Sequence, residues 1–442
     1  MDQSKLRSRY RVPTCCLVFI VLAAILFTGI IFFISGGKMR VIALLADVKA
    51  KGEPVRSVDL EPPGVPDADN AFLYYERAAT MMVKAPQSVD DAVKRMREVP
   101  VSAWKKADVD LLRAHVKQNA AALQVVHQGT LCKGYKSRVT WKDPVKALYP
   151  NLAKSRDLAR ELRYKAQVDI YDGRVDEAVN ACGDILRMSN HVASESTLIA
   201  YLVGVACRAM AYVPLEYAIG ATNDESTLRH IMSLLESTPP LKIRPAMIGE
   251  RANGVTIFEN LRKGKFSIAD LNGQPGNTNS PKIRPPGWLF YYDEAAYVKA
   301  MGERIELSDK PYYAVQKRLN ELDVQADAGP VYAPISRILM PVFSRAHAAG
   351  CKTDMQAAVL RMAAAIKLYR IKHGQYPKSL SDLQPGIVKT IPIDGFTGKP
   401  LIYKLKGKGF VVYSVGDNQV DDGGVKPNPN KPGGGDIVYE EK

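Results

Sequence analysis

Between Thr353 and Tyr439 the residue types follow one another in an order that few folds require. Thr353 and Gln356 have the spacing of a capping box, and Met355, Val359, Met362, Ile366 and Tyr369 recur at intervals of four and three, which marks one face of a helix. Gly374 supplies a left-handed cap and Pro377 forbids continuation, so the helix is expected to end at about His373. Leu380 and Leu383, set among Ser379, Ser381 and Asp382, predict one short helical turn closed by Pro385. Asp394 to Pro400 is turn chemistry. Leu401 to Leu405 and Phe410 to Val415 then read as two strands joined by Lys406-Gly407-Lys408-Gly409, a β-hairpin, and Asp436 to Tyr439 as a last short strand.

The loop between the hairpin and that last strand, Ser414 to Asp436, carries Asp417, Asp421, Asp422 and Asp436, with glycines at 416, 423 and 424. Crowded carboxylates repel one another unless a cation lies among them. Calcium takes six to eight hard oxygens, and glycine lets a backbone curl closely enough to offer carbonyls. These four aspartates are therefore the candidate metal ligands, with calcium as the candidate ion. A solvated polar turn is the competing reading, because the spacing is not that of an EF-hand.

Taken in order, these motifs resemble the C-terminal region of the type II secretion major pseudopilin. The residues that carry the resemblance are Tyr369, Gly374, Tyr376-Pro377, Ser414, Gly416, Asp417, Gly423-Gly424 and Asp436-Ile437. The resemblance implies a long helix, a small antiparallel sheet and a loop that holds calcium, with Asp417 and Asp436 at the family's motif positions. Gly395 follows Asp394 where the family usually has proline. The amino-terminal stretch does not match the short leader, cleavage glycine and phenylalanine-led helix of a pilin.

That stretch is instead a long apolar run. From Val12 to Ile34 it is long enough to cross a bilayer, and Lys5, Arg7, Arg9 and Arg11 precede it, which favours a cytoplasmic amino terminus with the rest outside. A cleaved signal peptide competes with this reading, but the apolar core is longer than a signal h-region usually is. Cys15 and Cys16 precede that core, on the wrong side for a lipoprotein cysteine.

Pro54, Pro62, Pro63, Gly64 and Pro66 mark an extended tether, and helix signals begin at Asp67 to Asn70. Helical stretches are expected near Ala107 to Gln128, Pro150 to Tyr171, Ser196 to Ile219, Asp224 to Leu235, Tyr291 to Met301 and Lys310 to Asp327. Asp172-Gly173 separates two of these stretches like the turn of a tetratricopeptide-type hairpin, without a second copy that would make an array. A long exposed loop is expected over Lys263 to Pro286, rich in Gly, Asn and Pro. Cys182 and Cys207 flank the turn between two consecutive helices and read either as two small buried residues or as a disulfide permitted by an oxidising compartment.

The expected architecture is mainly α. A basic tail (1–11), a transmembrane helix (12–35) and a tether (36–69) lead into a helical-hairpin body (70–345), followed by a small α+β pseudopilin-like domain (346–442) of one long helix and a three-stranded antiparallel sheet. The 442 residues carry a net charge of +15, but no basic motif interleaved with aromatics points to nucleic acid. The histidines are scattered, His191 and Glu195 share only a spacing of four, and no phosphate loop or nucleophile elbow is present. No catalytic residue and no small-molecule substrate are inferred. The expected protein is a single-pass inner-membrane envelope protein, largely periplasmic, with a structural or protein-interaction role. A secretion-apparatus component and an enzyme whose site is assembled within the helical body are the alternatives.

Overall fold

The computed structural model describes residues 14–97, 99–142, 144, 150–265, 271, 287–328, 333–340, 343–427 and 434–442. The basic tail and most of the Gly/Asn/Pro-rich stretch before residue 287 lie outside these. Among the described residues the protein is mainly helical, with one small antiparallel sheet at its C-terminal end.

The first helix, α1 (Thr14–Ala50), does not end with the apolar run but continues for several turns. Its two halves differ. Val18, Phe19, Ile20, Leu22, Ile25, Leu26 and Phe27 are exposed, whereas Val41 and Val48 are buried against the body. Gly37 lets this second half approach the ring of Tyr292. The tether expected over 36–69 is thus helical to Ala50. After it come two 3-10 turns, Ser57–Leu60 and Asp67–Asp69, the first fastened to the body by a buried hydrogen bond from Ser57 N to Thr256 Oγ1 (2.9 Å).

Asn70 caps α2 (Ala71–Met81) by accepting from Phe72 N at 3.2 Å. The stretch Ala107 to Gln128 is two helices where one was expected, α4 (Lys106–Gln118) and α5 (Ala120–Thr130), after α3 (Gln87–Arg97). The break falls at Asn119, whose amide bonds both backbone groups of Val83, accepting from N at 2.8 Å and donating to O at 3.0 Å. Satisfying a buried neighbour outweighs continuing the helix there.

Helices α6 (Pro150–Tyr171), α7 (Val175–Ala193) and α8 (Leu198–Ala221) pack on one another as the centre of the body. The α6–α7 turn is a Schellman cap: Gly173 has φ +77°, Arg174 N donates to Asp169 O (2.8 Å) and Gly173 N to Ile170 O (3.1 Å). Thr197 caps α8, and Asp224 caps α9 (Glu225–Ser237) through Thr227 N at 2.8 Å. By length and composition α8 is apolar enough to cross a membrane, but 67% of its apolar 18-residue window is buried inside the protein, as in a core helix. Beyond it lie α10 (Arg244–Arg262), α11 (Leu289–Leu307), α12 (Tyr312–Asp327) and the short α13 (Pro334–Leu339).

The last helix, α14, spans Phe343–His373. It ends where the sequence predicts, with Gly374 at φ +75°, but it begins ten residues before the expected Thr353. Thr353 is interior: its hydroxyl donates to Gly350 O at 2.8 Å instead of capping. The short turn follows as Leu380–Leu383, with Ser379 and Asp382 forming its capping box. Strands β1 (Ile402–Lys406), β2 (Gly409–Ser414) and β3 (Ile437–Glu441) form an antiparallel sheet in the order β1-β2-β3. Lys406 pairs with Gly409, so the hairpin loop is the two residues Gly407-Lys408, with Gly407 at φ +58°.

The helix α14 is packed between α8 and α9 on one side and the sheet on the other. A single apolar cluster accordingly runs from Val179 and Leu215 in the body through Ala364 of α14 to Phe410 and Tyr439 in the sheet.

Candidate functional site

The glycine-rich loop leaves β2 at Ser414 and returns at Ile437. Positive φ angles at Gly416, Gly423, Gly424 and Gly435 let it double back on itself. Asp436 is fully buried. Its Oδ2 accepts from Gly424 N (2.7 Å) and its Oδ1 from Asp422 N (3.4 Å), while its own N donates to Val425 O (2.7 Å). Asp422 answers across the loop: its Oδ2 accepts from Gly435 N (2.8 Å) and from Asn418 Nδ2 (2.9 Å). The two carboxylates clasp the ends of the loop. Burial raises the Asp436 pKa, and the neighbouring Asp422 charge adds to that, against the hydrogen bonds from the backbone.

Asp421 is turned to the other face. Its Oδ1 accepts from Tyr413 Oη (2.8 Å) and Gly423 N (2.9 Å), and Lys404 Nζ lies 4.0 Å from Oδ2. The Tyr413 hydroxyl is the main reason its pKa is lowered. Asp417 is exposed, on the side from which its charge acts on Tyr312. Of the four predicted ligands, then, Asp422 and Asp436 come together, while Asp421 and Asp417 take separate environments. Among the described residues no group of three or more His, Cys, Asp or Glu side chains converges as a ligand set. Both carboxylates of this pair are engaged by backbone amides, Asp436 by those of Asp422 and Gly424 and Asp422 by that of Gly435.

A further carboxylate supports this loop. Asp394, buried in the turn before β1, accepts from Phe396 N (2.9 Å) and Val415 N (3.0 Å), tying that turn to the start of the loop. Its signal in the sequence is the Asp-Gly pair of a turn. Gln419, at φ +57°, reaches the same turn through Phe396 O (2.6 Å).

His191 and Glu195 form a second polar cluster. His191 closes the last turn of α7 and Glu195 lies in the turn before α8, as the sequence places it. The ring bonds Tyr75 Oη through Nδ1 (2.8 Å) and Cys132 O through Nε2 (3.1 Å) and stacks on Tyr135. A carbonyl only accepts, so Nε2 carries the proton and Nδ1 accepts from the tyrosine. Burial lowers the His191 pKa, which favours that neutral ring. Glu195, with its pKa raised by burial, takes the Ser137 hydroxyl beside a cavity of about 40 Å³ between Tyr135 and Trp141. That volume admits little more than water. The cluster therefore serves to fasten the 131–141 segment to the α7–α8 turn.

Cys132, Cys182, Cys207 and Cys351 are all free thiols. The disulfide entertained between Cys182 and Cys207 is not formed, and both residues are buried in the main apolar cluster.

Compared with protein-family models, with curated proteins and with solved structures, the chain matches none.

Proposed function

We propose that this chain is a single-pass, membrane-anchored bacterial envelope protein with a structural or protein-interaction role. The observation that carries the reading is the asymmetry of α1. Its first half exposes Phe19 (78%), Leu26 (68%) and Phe27 (66%), and its second half is built into the body. Large apolar side chains left in water are costly, at about 25 cal/mol per Å², and a bilayer removes that cost. With the basic tail cytoplasmic, the helical body and the sheet lie outside the inner membrane. Membrane fractionation and protease added to spheroplasts test this: the body should sediment with membranes and be shaved from outside. A body that stays in the soluble fraction, or is cut only after the membrane is broken, overturns it.

A second reading, participation in a secretion apparatus, draws support from the order of α14, the Asp394 turn, the β1–β2 hairpin, the glycine-rich loop and β3. In that reading the C-terminal segment is a pseudopilin-like domain and its loop binds calcium, with Asp422 and Asp436 as the adjacent carboxylates. Asp417 and Asp421, the other two acidic residues of the loop, lie in separate environments. Cross-linking in whole cells, followed by identification of the captured chains, tests it. Recovery of pseudopilins supports it, and their absence alongside recovery of other envelope proteins favours the first reading.

A further inference from the structure

Two contacts fix how α1 lies beside α11. A methyl group on Gly37 would meet the ring of Tyr292, and Lys51 Nζ lies 3.3 Å from Glu306 Oε1. Both pairs are 255 residues apart in the chain, so the two helices run side by side in the same direction, in one register over about four turns. Counted with that offset, Trp288, which precedes α11, stands beside position 33, inside the apolar run that closes at Ile34, and Tyr292 stands just beyond its end. At about 1.5 Å per residue Tyr292 is about 4.5 Å past the run, within the headgroup layer, which is roughly 5–7 Å deep on each side of a bilayer.

The residues at that level are the kinds that a boundary between lipid and water selects. Trp288, Tyr291 and Tyr292 are half-buried, each an apolar ring with a polar handle, the type that gathers at headgroup depth. The body holds them in place. Arg262, at the end of α10, lies over the Tyr291 ring at 4.4 Å and pairs with Glu294 of α11, and Arg40 lies over the Tyr292 ring at 5.8 Å. The acidic groups of this end, Glu259 and Glu294, are taken up by Arg56 and Arg262, whereas Lys38 and Arg40 are exposed and have no carboxylate partner among the described residues. Free cations at this height face the layer in which lipid phosphates lie.

We propose that the first turn of α11, Trp288 to Tyr292, is a second membrane contact, seated at the boundary of headgroups and acyl chains in the leaflet that faces the body. The inference rests on the reading of α1 as a membrane span and goes beyond it, because it makes the body part of the membrane surface. Two parallel helices fastened at Gly37–Tyr292 and again at Lys51–Glu306 enter that boundary together, which sets the height and orientation of the body instead of letting it swing on a tether.

The test uses the full chain reconstituted in vesicles of phosphatidylcholine and phosphatidylglycerol. The vesicles are floated on a density gradient, and tryptophan emission is recorded with lipids brominated near the top or near the end of the acyl chain, and with aqueous iodide. The chain has three tryptophans, and Trp104 and Trp141 are only 5% and 7% exposed, so quenching by lipid reports Trp288. The floated protein should lose part of its emission to the shallow bromines, less to the deep ones, and keep that part in iodide. Trp288→Phe should abolish the quenching by lipid and leave flotation unchanged; if that variant does not fold, the depth dependence of the parent decides. A protein that floats but whose Trp288 is quenched by iodide and not by brominated lipid overturns the proposal and leaves the anchor standing, as does lipid quenching that survives Trp288→Phe. A protein that does not float overturns both.

Discussion

Lys367, buried in the middle of α14, lies 3.0 Å from Glu441 at the end of β3 and donates to Ile219 O of α8 at 2.7 Å. One ammonium thus joins the body, the long helix and the last strand. Removing one partner of a buried pair strands the other. Glu441 retains some exposure, so Glu441→Ala should cost about 2–3 kcal/mol and Lys367→Met, which keeps the volume and removes the charge, less than that. Denaturant unfolding of both variants, with their double mutant, measures the coupling. Additive effects would mean that the pair contributes no coupling energy.

Gly249 faces the backbone of Ser196, and a methyl group there would fall inside the van der Waals shell of the Ser196 carbonyl oxygen. Backbone cannot move aside as a flexible side chain does. Gly249→Ala should therefore destabilise by about 3 kcal/mol, although alanine favours helix over glycine by roughly 1 kcal/mol. Gly302, in α11 with open space around it, is the control: Gly302→Ala should be neutral or stabilising. The sign difference between the two is read from their denaturation midpoints.

The parts of this fold legible in the sequence are those set by neighbouring residues. Gly374 and Pro377 stop α14 wherever it begins, and Gly407 makes the hairpin turn without help from the rest of the chain. The start of α14 is different, because the Thr353–Gln356 spacing of a capping box also fits inside a helix when Ala346, Ala348 and Ala349 extend it upstream. Helix α10 escapes sequence reading because Gly249 and Gly254 weaken its local preference, and its cause is tertiary: Ser196 and Tyr297 leave no room for larger residues. In the acidic loop the composition was legible and the orientations were not. Asp421 and Asp422 are consecutive, yet Tyr413 holds one and Gly435 the other.

Glu294 is fully buried, and only one of its oxygens is bonded, to Arg262, while Oε1 has no partner. Burial raises its pKa from 4.5 to about 7, against the opposing Arg262 charge. The folded state thus holds a proton that the unfolded chain has released between those values, so this contribution to stability is present below pH 4.5 and is lost as pH rises through about 7. Glu294→Gln keeps the shape and cannot titrate. The stability of the parent relative to this variant should fall by roughly 2–3 kcal/mol across that window. A difference that stays flat between pH 4.5 and 7 would show that Glu294 is ionised in the fold throughout.

Cys182 and Cys207 are buried thiols whose pKa values are raised by burial, that of Cys207 to about 12. The thiolate is the reactive form, so both should resist alkylation in the native protein and react fully once it is unfolded without reductant. Mass spectrometry after iodoacetamide, with and without denaturant, reads this directly. A pair that remains unlabelled in denaturant until reductant is added would be a disulfide.

Asp436 is the hinge of the acidic loop with or without a cation. Its carboxylate is the acceptor for the amides of Asp422 and Gly424, so Asp436→Ala leaves two donors short of a partner and should cost about 1–3 kcal/mol in the absence of calcium. Asp422→Asn retains an oxygen for Gly435 N and should cost less than that. Calcium separates structural from metal-binding roles. With the full chain in mild detergent, millimolar calcium should raise the melting temperature of the parent, raise that of Asp422→Asn less, and leave Asp436→Ala unchanged, whereas magnesium, which favours a stricter octahedron, should do little. Tyr413→Phe adds a second reading, because it frees Asp421 from its hydroxyl donor while leaving the Asp422–Asp436 clasp intact. If Asp421 joins the cation, that variant should bind calcium more tightly than the parent. Identical calcium responses in the parent, Asp422→Asn and Asp436→Ala would reduce the loop to a clasp built from aspartates and backbone amides alone.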